Sequence, residues 1–188
     1  VPMVIAQMMV TLDGYAAGPD GALDWVHTED PELDDYLADV LTSVGAQVFG
    51  RTAYEGVAEY WTGDEAAFES SGDARLAPLV NGVPKIVVTS RPDRPLAWQP
   101  ATAIGGDLAD DVRRLKSEPG DPVIVFAGAT TLNSFLRLGA VDELRLLVFP
   151  VFAGGGQRLF DLADTGPVEL IDVRAFPASG VVLQRYRL

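Results

Sequence analysis

Residues 123–160 read VIVFAGATTLNSFLRLGAVDELRLLVFPVFAGGGQRLF. The run over 123–126 is apolar, β-branched and of strand length. Over 130–138 the apolar residues recur at helical spacing, and Gly139 stands where a helix would be capped. A second apolar strand spans 143–151. Between the first strand and the helix lies Ala127-Gly128-Ala129-Thr130. Such a turn leaves the first N–H groups of a helix unpaired at the positive end of its dipole, and so favours an anion. The stretch predicts an α/β unit whose strand end holds phosphate, as in a nucleotide cofactor.

The same grammar recurs towards the amino terminus. A buried strand spans 4–10, with Gln7 inside it, and ends at Thr11-Leu12-Asp13-Gly14. Gly18-Pro19-Asp20-Gly21 is a loop. Asp30-Pro31-Glu32 opens a helix: Asp as cap, Pro at the first helical position, an acid in the first turn. A short strand over 46–49 runs into Gly50-Arg51-Thr52, which opens the next helix. Trp61 and Phe68 fall in a loop and helix reaching about residue 80. Strands follow over 85–89 and, weakly, 101–104; Asp107 caps a helix over 108–116. Gly154-Gly155-Gly156 reads as a mobile loop. Segments 168–176 and 181–188 flank Pro177-Ala178-Ser179-Gly180, a closing antiparallel hairpin. Alternating strands and helices require right-handed crossovers and a parallel sheet, with antiparallel strands added at one edge. No repeat or linker divides the chain, so one domain over 1–188 is expected.

Composition excludes several classes. Hydrophobic residues make up 48% and charged residues 22%, enough for an ordinary hydrophobic core. No apolar run approaches the roughly 18 residues of a membrane span, so no membrane partner is expected. The first residues lack the charged-then-apolar order of a signal peptide, and a cytoplasmic location is the expectation. Cysteine is absent, which removes thiolate chemistry. His27 is the sole histidine, so a multi-histidine zinc site is excluded and no metal is expected. A net charge of −13 argues against nucleic acid as a partner. Of the 14 basic residues only Lys85 and Lys116 are lysines, and the arginine fork suits phosphate.

Four strand-to-helix junctions carry candidate anion ligands. Gly50, Arg51 and Thr52 combine close backbone approach, charge and a hydroxyl; the plain alternative is a turn with a solvated arginine. Ser90 and Arg91 suit a phosphomonoester; the alternative is a polar loop. Gly105-Gly106 and Gly128 complete the row. Neither a G-x-G-x-x-G fingerprint nor a P-loop is present. On the substrate side, Asp13 ends the first strand and either faces a ligand or makes an ordinary Asp-Gly turn. Trp25 is a loop anchor or a stacking platform. Asp34 and Asp35 lie on the first helix, as a solvated acidic face or, at one of them, a proton donor.

TLDGYAAGPDGALDW, FGRTAYE, IVVTSR, GGDLADDVRRLK and the 123–160 stretch, in this order, resemble the dihydrofolate reductase-like superfamily. The nearer likeness is to the bacterial carboxy-terminal reductase domain of riboflavin biosynthesis (RibD C-terminal domain-like). The resemblance covers nearly the whole chain. It implies a three-layer α/β/α fold, with a mixed, mostly parallel sheet and a carboxy-terminal antiparallel hairpin. It implies NADPH as hydride donor and a small polar heterocyclic substrate, pterin-, pyrimidine- or flavin-like, as for 5-amino-6-(5-phosphoribosylamino)uracil reductase. By position, Gly50, Arg51 and Thr52 would contact cofactor phosphates, with Gly105 in the same row. Ser90 and Arg91 would hold the adenosine-ribose phosphate. Ala127, Gly128, Ala129 and Thr130 would wrap the pyrophosphate, with Ala127 where relatives usually carry glycine. Asp13 would face substrate, and water or an acid such as Asp34 would deliver the proton. Relatives often pair through sheet edges, so a homodimer is expected. No Lys or Arg occurs in residues 1–50, which argues against a phosphorylated substrate. The alternative is a non-catalytic nucleotide-binding or regulatory protein on the same fold.

Overall fold

Val4–Thr11 (β1) lies inside an eight-stranded sheet in the computed structural model, which describes residues 1–162 and 166–188. The chain continues through β2 (Tyr15–Ala17), α1 (Pro31–Ser43), β3 (Ala46–Gly50), α2 (Arg51–Trp61), α3 (Ser71–Gly82) and β4 (Lys85–Val88). Then come β5 (Ala101–Ile104), α4 (Leu108–Ser117), β6 (Val123–Ala127), α5 (Ala129–Arg137), β7 (Glu143–Phe149), β8 (Gln157–Arg158), β9 (Glu169–Phe176) and β10 (Val181–Arg187). The strand order is β5-β4-β3-β6-β1-β7-β10-β9. The first six of these run parallel, and β10 and β9 add antiparallel at one edge. This is the expected α/β fold with a carboxy-terminal hairpin.

Alternation along β1 sets the layers. Val4, Ala6, Met8 and Val10 pack with Val112 of α4 and Leu132 and Phe135 of α5. Ile5, on the opposite face, packs with Val40 of α1, and Met9 packs against the cluster that holds Leu33, Leu37 and Leu76 of α1 and α3. A period of two buried on both faces is what a central parallel strand requires. Asp30 fixes the start of α1. Its Oδ1 accepts from the N–H groups of Glu32 and Leu33 at 3.1 and 3.2 Å. Its Oδ2 accepts from Ser179 in the hairpin turn, N–H at 2.8 Å and hydroxyl at 2.7 Å.

Three local expectations change. Residues 15–17, to which the sequence assigns no element, form a short strand paired with 157–158. Trp61 closes α2 rather than lying in a loop. The Gly154–Gly156 stretch is pinned rather than loose. Gly154 N–H donates to Asp13, and a Cβ on Gly156 would sit 2.3 Å from the Ala17 carbonyl oxygen. Only glycine allows that approach, and Gly156 also needs its φ of 112°.

Candidate active site

The carboxyl ends of β1, β3, β4 and β6 border one cavity of about 920 Å³, the size of a cofactor or substrate site. Helix caps single it out. Asp30, Ser70 and Asp107 cap α1, α3 and α4 with their own side chains. Gly50 and Gly128, at the starts of α2 and α5, offer no side-chain cap, and both line the cavity. The free N–H groups of those two helices therefore face the cavity, where an anion can satisfy them.

The expected cofactor ligands separate into groups. Gly50, Arg51, Thr52, Ser90, Ala127, Gly128, Ala129 and Thr130 all line the cavity. The glycines are required by space. A Cβ on Gly50 would lie 2.4 Å from Thr131 Oγ1, and one on Gly128 would lie 3.2 Å from Ala53 Cβ, at a φ of 96°. Ala127 causes no difficulty, because Asp20 is the one described non-glycine residue with positive φ. Among described residues only Gln99–Pro100 is cis, so the Ala127–Gly128 peptide is trans. A register shift places Phe126 out of step with β3, a bulge beside the turn.

Arg91 and Ser90 share a second, smaller cavity with Thr89, Arg51 and Arg94. Three arginines around two hydroxyls make a phosphate-sized basic pocket in an acidic protein. Arg51 also has structural partners: Nε donates to Glu55 at 2.7 Å and Nη2 to the Pro95 carbonyl at 2.9 Å. It thereby holds the 94–95 loop against α2. Gly105 lines neither cavity. A Cβ there would fall 1.8 Å from the Thr89 carbonyl oxygen, so this glycine packs the β4–β5 end and does not touch a ligand.

Neither expected acid lines the cavity. Asp13 accepts from Thr11 Oγ1 at 2.6 Å, Ala153 N–H at 3.0 Å and Gly154 N–H at 2.8 Å. The Thr11 hydroxyl and these amides hold its carboxyl down to about 2. Its oxygens anchor the 153–154 segment. Asp34 is half-buried between α1 and α3, against Gly72, where a Cβ would meet its Oδ2 at 2.1 Å. Burial raises its pKa, outweighing the nearby Arg75. Trp25 packs edge-on against Phe149 at 5.2 Å, a loop anchor. Arg158 lies over the Tyr15 ring at 5.3 Å, outside the cavity.

A titratable group on the cavity wall escaped the sequence reading as a proton donor. His27 and Tyr60 both line the cavity. His27 Nδ1 lies 3.2 Å from Asp73 Oδ2, and the Tyr60 hydroxyl donates to that same oxygen. The Asp73 hydrogen bond raises the His27 pKa, with burial opposing. Burial works to raise the Asp73 carboxyl, but hydrogen bonds from His27, Tyr60 and Ser70 win and lower it. Burial and the Asp73 carboxylate push the Tyr60 hydroxyl up to about 12. The arrangement is an imidazole whose charged form a buried carboxylate favours. The uniqueness of His27 was visible in the sequence; its partner, 46 residues away, was not.

Met9, Phe126, Leu147, Val57 and Trp61 give the cavity its apolar wall, and Gln7, Thr131, Ser134 and Gln157 add polar side chains. Among described residues no group of acids and histidine is placed to hold a metal, and no helix is long and apolar enough to cross a membrane.

Comparison with known proteins agrees with this architecture. The chain is 31% identical over 180 residues to the uncharacterized protein YyaP of Bacillus subtilis, covering 95% of this chain and 91% of that one. Its structure is similar to a putative riboflavin biosynthesis protein from Shewanella sp. PV-4, with a TM-score of 0.75, 22% identity and 98% of each chain covered. It is also similar to the dihydrofolate reductase of Enterococcus faecalis complexed with NADP(H), with a TM-score of 0.63 and 14% identity, covering 98% of this chain and 95% of that one. At these identities the two structures establish the dihydrofolate reductase-like fold. The family model of the RibD C-terminal domain matches residues 2–182, and the chain belongs to that family.

Proposed function

We propose that the protein is an NADPH-dependent reductase of a small, unphosphorylated heterocyclic compound. The observation that carries this is the distribution of helix caps: the two α-helices that start without a side-chain cap, α2 and α5, both open onto the cavity. The amino ends of α2 and α5 would hold the pyrophosphate. Ser90, Arg91 and Arg94 would hold the adenosine-ribose phosphate and so favour NADPH over NADH. When bound, the cofactor supplies the hydride.

The chain's own residues supply orientation and the proton. Met9, Phe126 and Leu147 exclude water and give a flat ring an apolar surface. His27, whose pKa Asp73 raises, is the acid on that wall, and we assign it the proton transfer in place of Asp34. Its supply is renewed from solvent through the exposed Glu69 carboxylate, 3.8 Å from Nε2. Arg51 is the one arginine on the cavity wall, and it sits at the phosphate end, so no arginine or lysine stands on the substrate side to meet a phosphate. The homodimer expected of the family has a surface to use, since the edge strand β9 exposes Leu170, Ile171 and Val173.

Titration of NADPH fluorescence tests the cofactor reading. NADPH binding at least ten-fold tighter than NADH is expected, with the preference lost in Arg91→Ala. Equal affinity for both cofactors would overturn it. Binding without reduction of any pterin, flavin or pyrimidine would favour a non-catalytic nucleotide-binding protein.

A further inference from the structure

Gln7 is 2% exposed on central strand β1, yet it lines the large cavity. It is the one polar residue among the three that β1 contributes there; the others are Met8 and Met9. Its Oε1 accepts from the Tyr36 hydroxyl at 2.6 Å. Its Nε2 has no partner among the described residues. A buried amide N–H left without an acceptor is costly, and such groups in native proteins call for an explanation.

The orientation of the amide follows from a chain of donors. Gln7 pairs in register with Arg145 on β7. The Arg145 guanidinium is close enough to the Tyr36 hydroxyl to oppose the rise that burial gives its pKa. A cation there favours a Tyr36 oxygen turned towards it and a hydroxyl hydrogen turned away, towards Gln7. Gln7 Oε1 takes that hydrogen, and the NH2 end is left as the free donor. Glu143 holds the other end of the chain, accepting from Arg145 and Arg185 at 2.7 Å each. The network ends in one donor with no acceptor, on a wall otherwise built from Met9, Phe126 and Leu147.

We infer that Gln7 reads the substrate, its side-chain amide donating to an uncharged acceptor, a ring carbonyl oxygen or ring nitrogen, on a planar molecule with apolar faces. This deepens the reductase reading and rests on it only for what happens to the bound molecule. Gln7 touches substrate; Tyr36 is a positioning residue that holds the amide's oxygen. A carboxylate or phosphate on this part of the substrate is excluded, because a neutral amide on an apolar wall cannot compensate a buried charge.

Two bicyclic probes of matching shape test it: 2-quinolone, with a ring carbonyl, and naphthalene, with no acceptor. Each is titrated by calorimetry into the wild-type chain, Gln7→Met and Tyr36→Phe, with and without saturating NADPH. The wild type should prefer 2-quinolone by about ten-fold or more, Gln7→Met should abolish the preference, and Tyr36→Phe should reduce it about three-fold. The side-chain amide signal of Gln7, identified as the one missing from the Gln7→Met spectrum, should shift with 2-quinolone and not with naphthalene. Failure of 2-quinolone to bind the wild type, an unmoved amide signal, or an unchanged preference in a folded Gln7→Met variant would each overturn the proposal. Should Gln7→Met fail to fold, the Tyr36→Phe titration decides, an unchanged preference in that folded variant overturning the proposal. The cofactor reading fails separately: probe preference without NADPH binding would keep the Gln7 assignment and discard the reductase.

Discussion

Asp13 Oδ2 accepts the backbone N–H of Gly154 at 2.8 Å, across 141 residues of chain. The bond ties the end of the central strand to the glycine loop that follows β7. Above it, Thr11 Oγ1 donates to the other oxygen, so both oxygens of this carboxylate have partners within the protein. A residue that looks like a substrate ligand in sequence is the clasp of the loop bordering the site.

The clasp makes the loop acid-sensitive. Asp13 has its carboxyl lowered from 3.8 to about 2, so its contribution is present above pH 3.8 and lost as pH falls through about 2. Asp13→Asn should remove that acid dependence and speed proteolytic cutting between Ala153 and Gln157, followed by gel electrophoresis. Cofactor affinity should stay within about three-fold, since a few tenths of a kcal/mol is the usual reach of a change outside a binding site.

The glycines of the cavity differ in what an added methyl would meet, and the order of damage follows. Gly105→Ala drives a Cβ into the Thr89 backbone, which cannot move aside as a side chain can, and should cost about 3 kcal/mol in urea unfolding. Gly50→Ala meets the movable Thr131 hydroxyl and should cost about 1 kcal/mol. For cofactor binding the order reverses, because Gly50 lines the cavity and Gly105 does not. Gly50→Ala should weaken NADPH at least ten-fold, while folded Gly105→Ala should keep near-normal affinity.

His27 should set the alkaline limb of any reduction. Its pKa is raised from 6.5 by Asp73, with Glu69 and Asp24 adding to the effect; the Tyr60 hydroxyl, 3.4 Å away on α2, stays neutral through this range. The proton is fully present below pH 6.5 and is lost as pH rises through the raised value, so both the rate and the ion pair's contribution to stability fall in that window. Asp73→Asn should move the limb towards acid, and His27→Gln should remove it. A limb unchanged in both variants would assign the proton to another group.

The basic pocket should show itself in salt dependence. NADPH affinity should fall with ionic strength more steeply than NADH affinity, because the extra phosphate meets Arg91 and Arg94 in a partly exposed site. Arg91→Ala should cost about ten-fold in NADPH affinity and leave NADH unchanged, a charged hydrogen bond being worth about 1.5 kcal/mol. Arg51→Ala should also lower the melting temperature, since it releases the 94–95 carbonyls that Arg51 holds.

The amino-acid sequence by itself determined the main strands and helices, their order and the glycine turns at the strand ends. Those rest on short-range rules: periodicity over a few residues, glycine at a strand end, an acid or serine at a helix start. Gly50, Ser90 and Gly128 were legible for that reason, and the structure brings all three to one cavity. Which acid does what was decided only in three dimensions. Asp13 is bound to Gly154, Asp34 faces Gly72 between two helices, and Asp73, unremarked in sequence, raises the His27 pKa. A carboxylate's role depends on which donors surround it, and those donors come from segments tens of residues away. The free amide of Gln7 is of the same kind, since a missing partner becomes visible only when every neighbour has been placed.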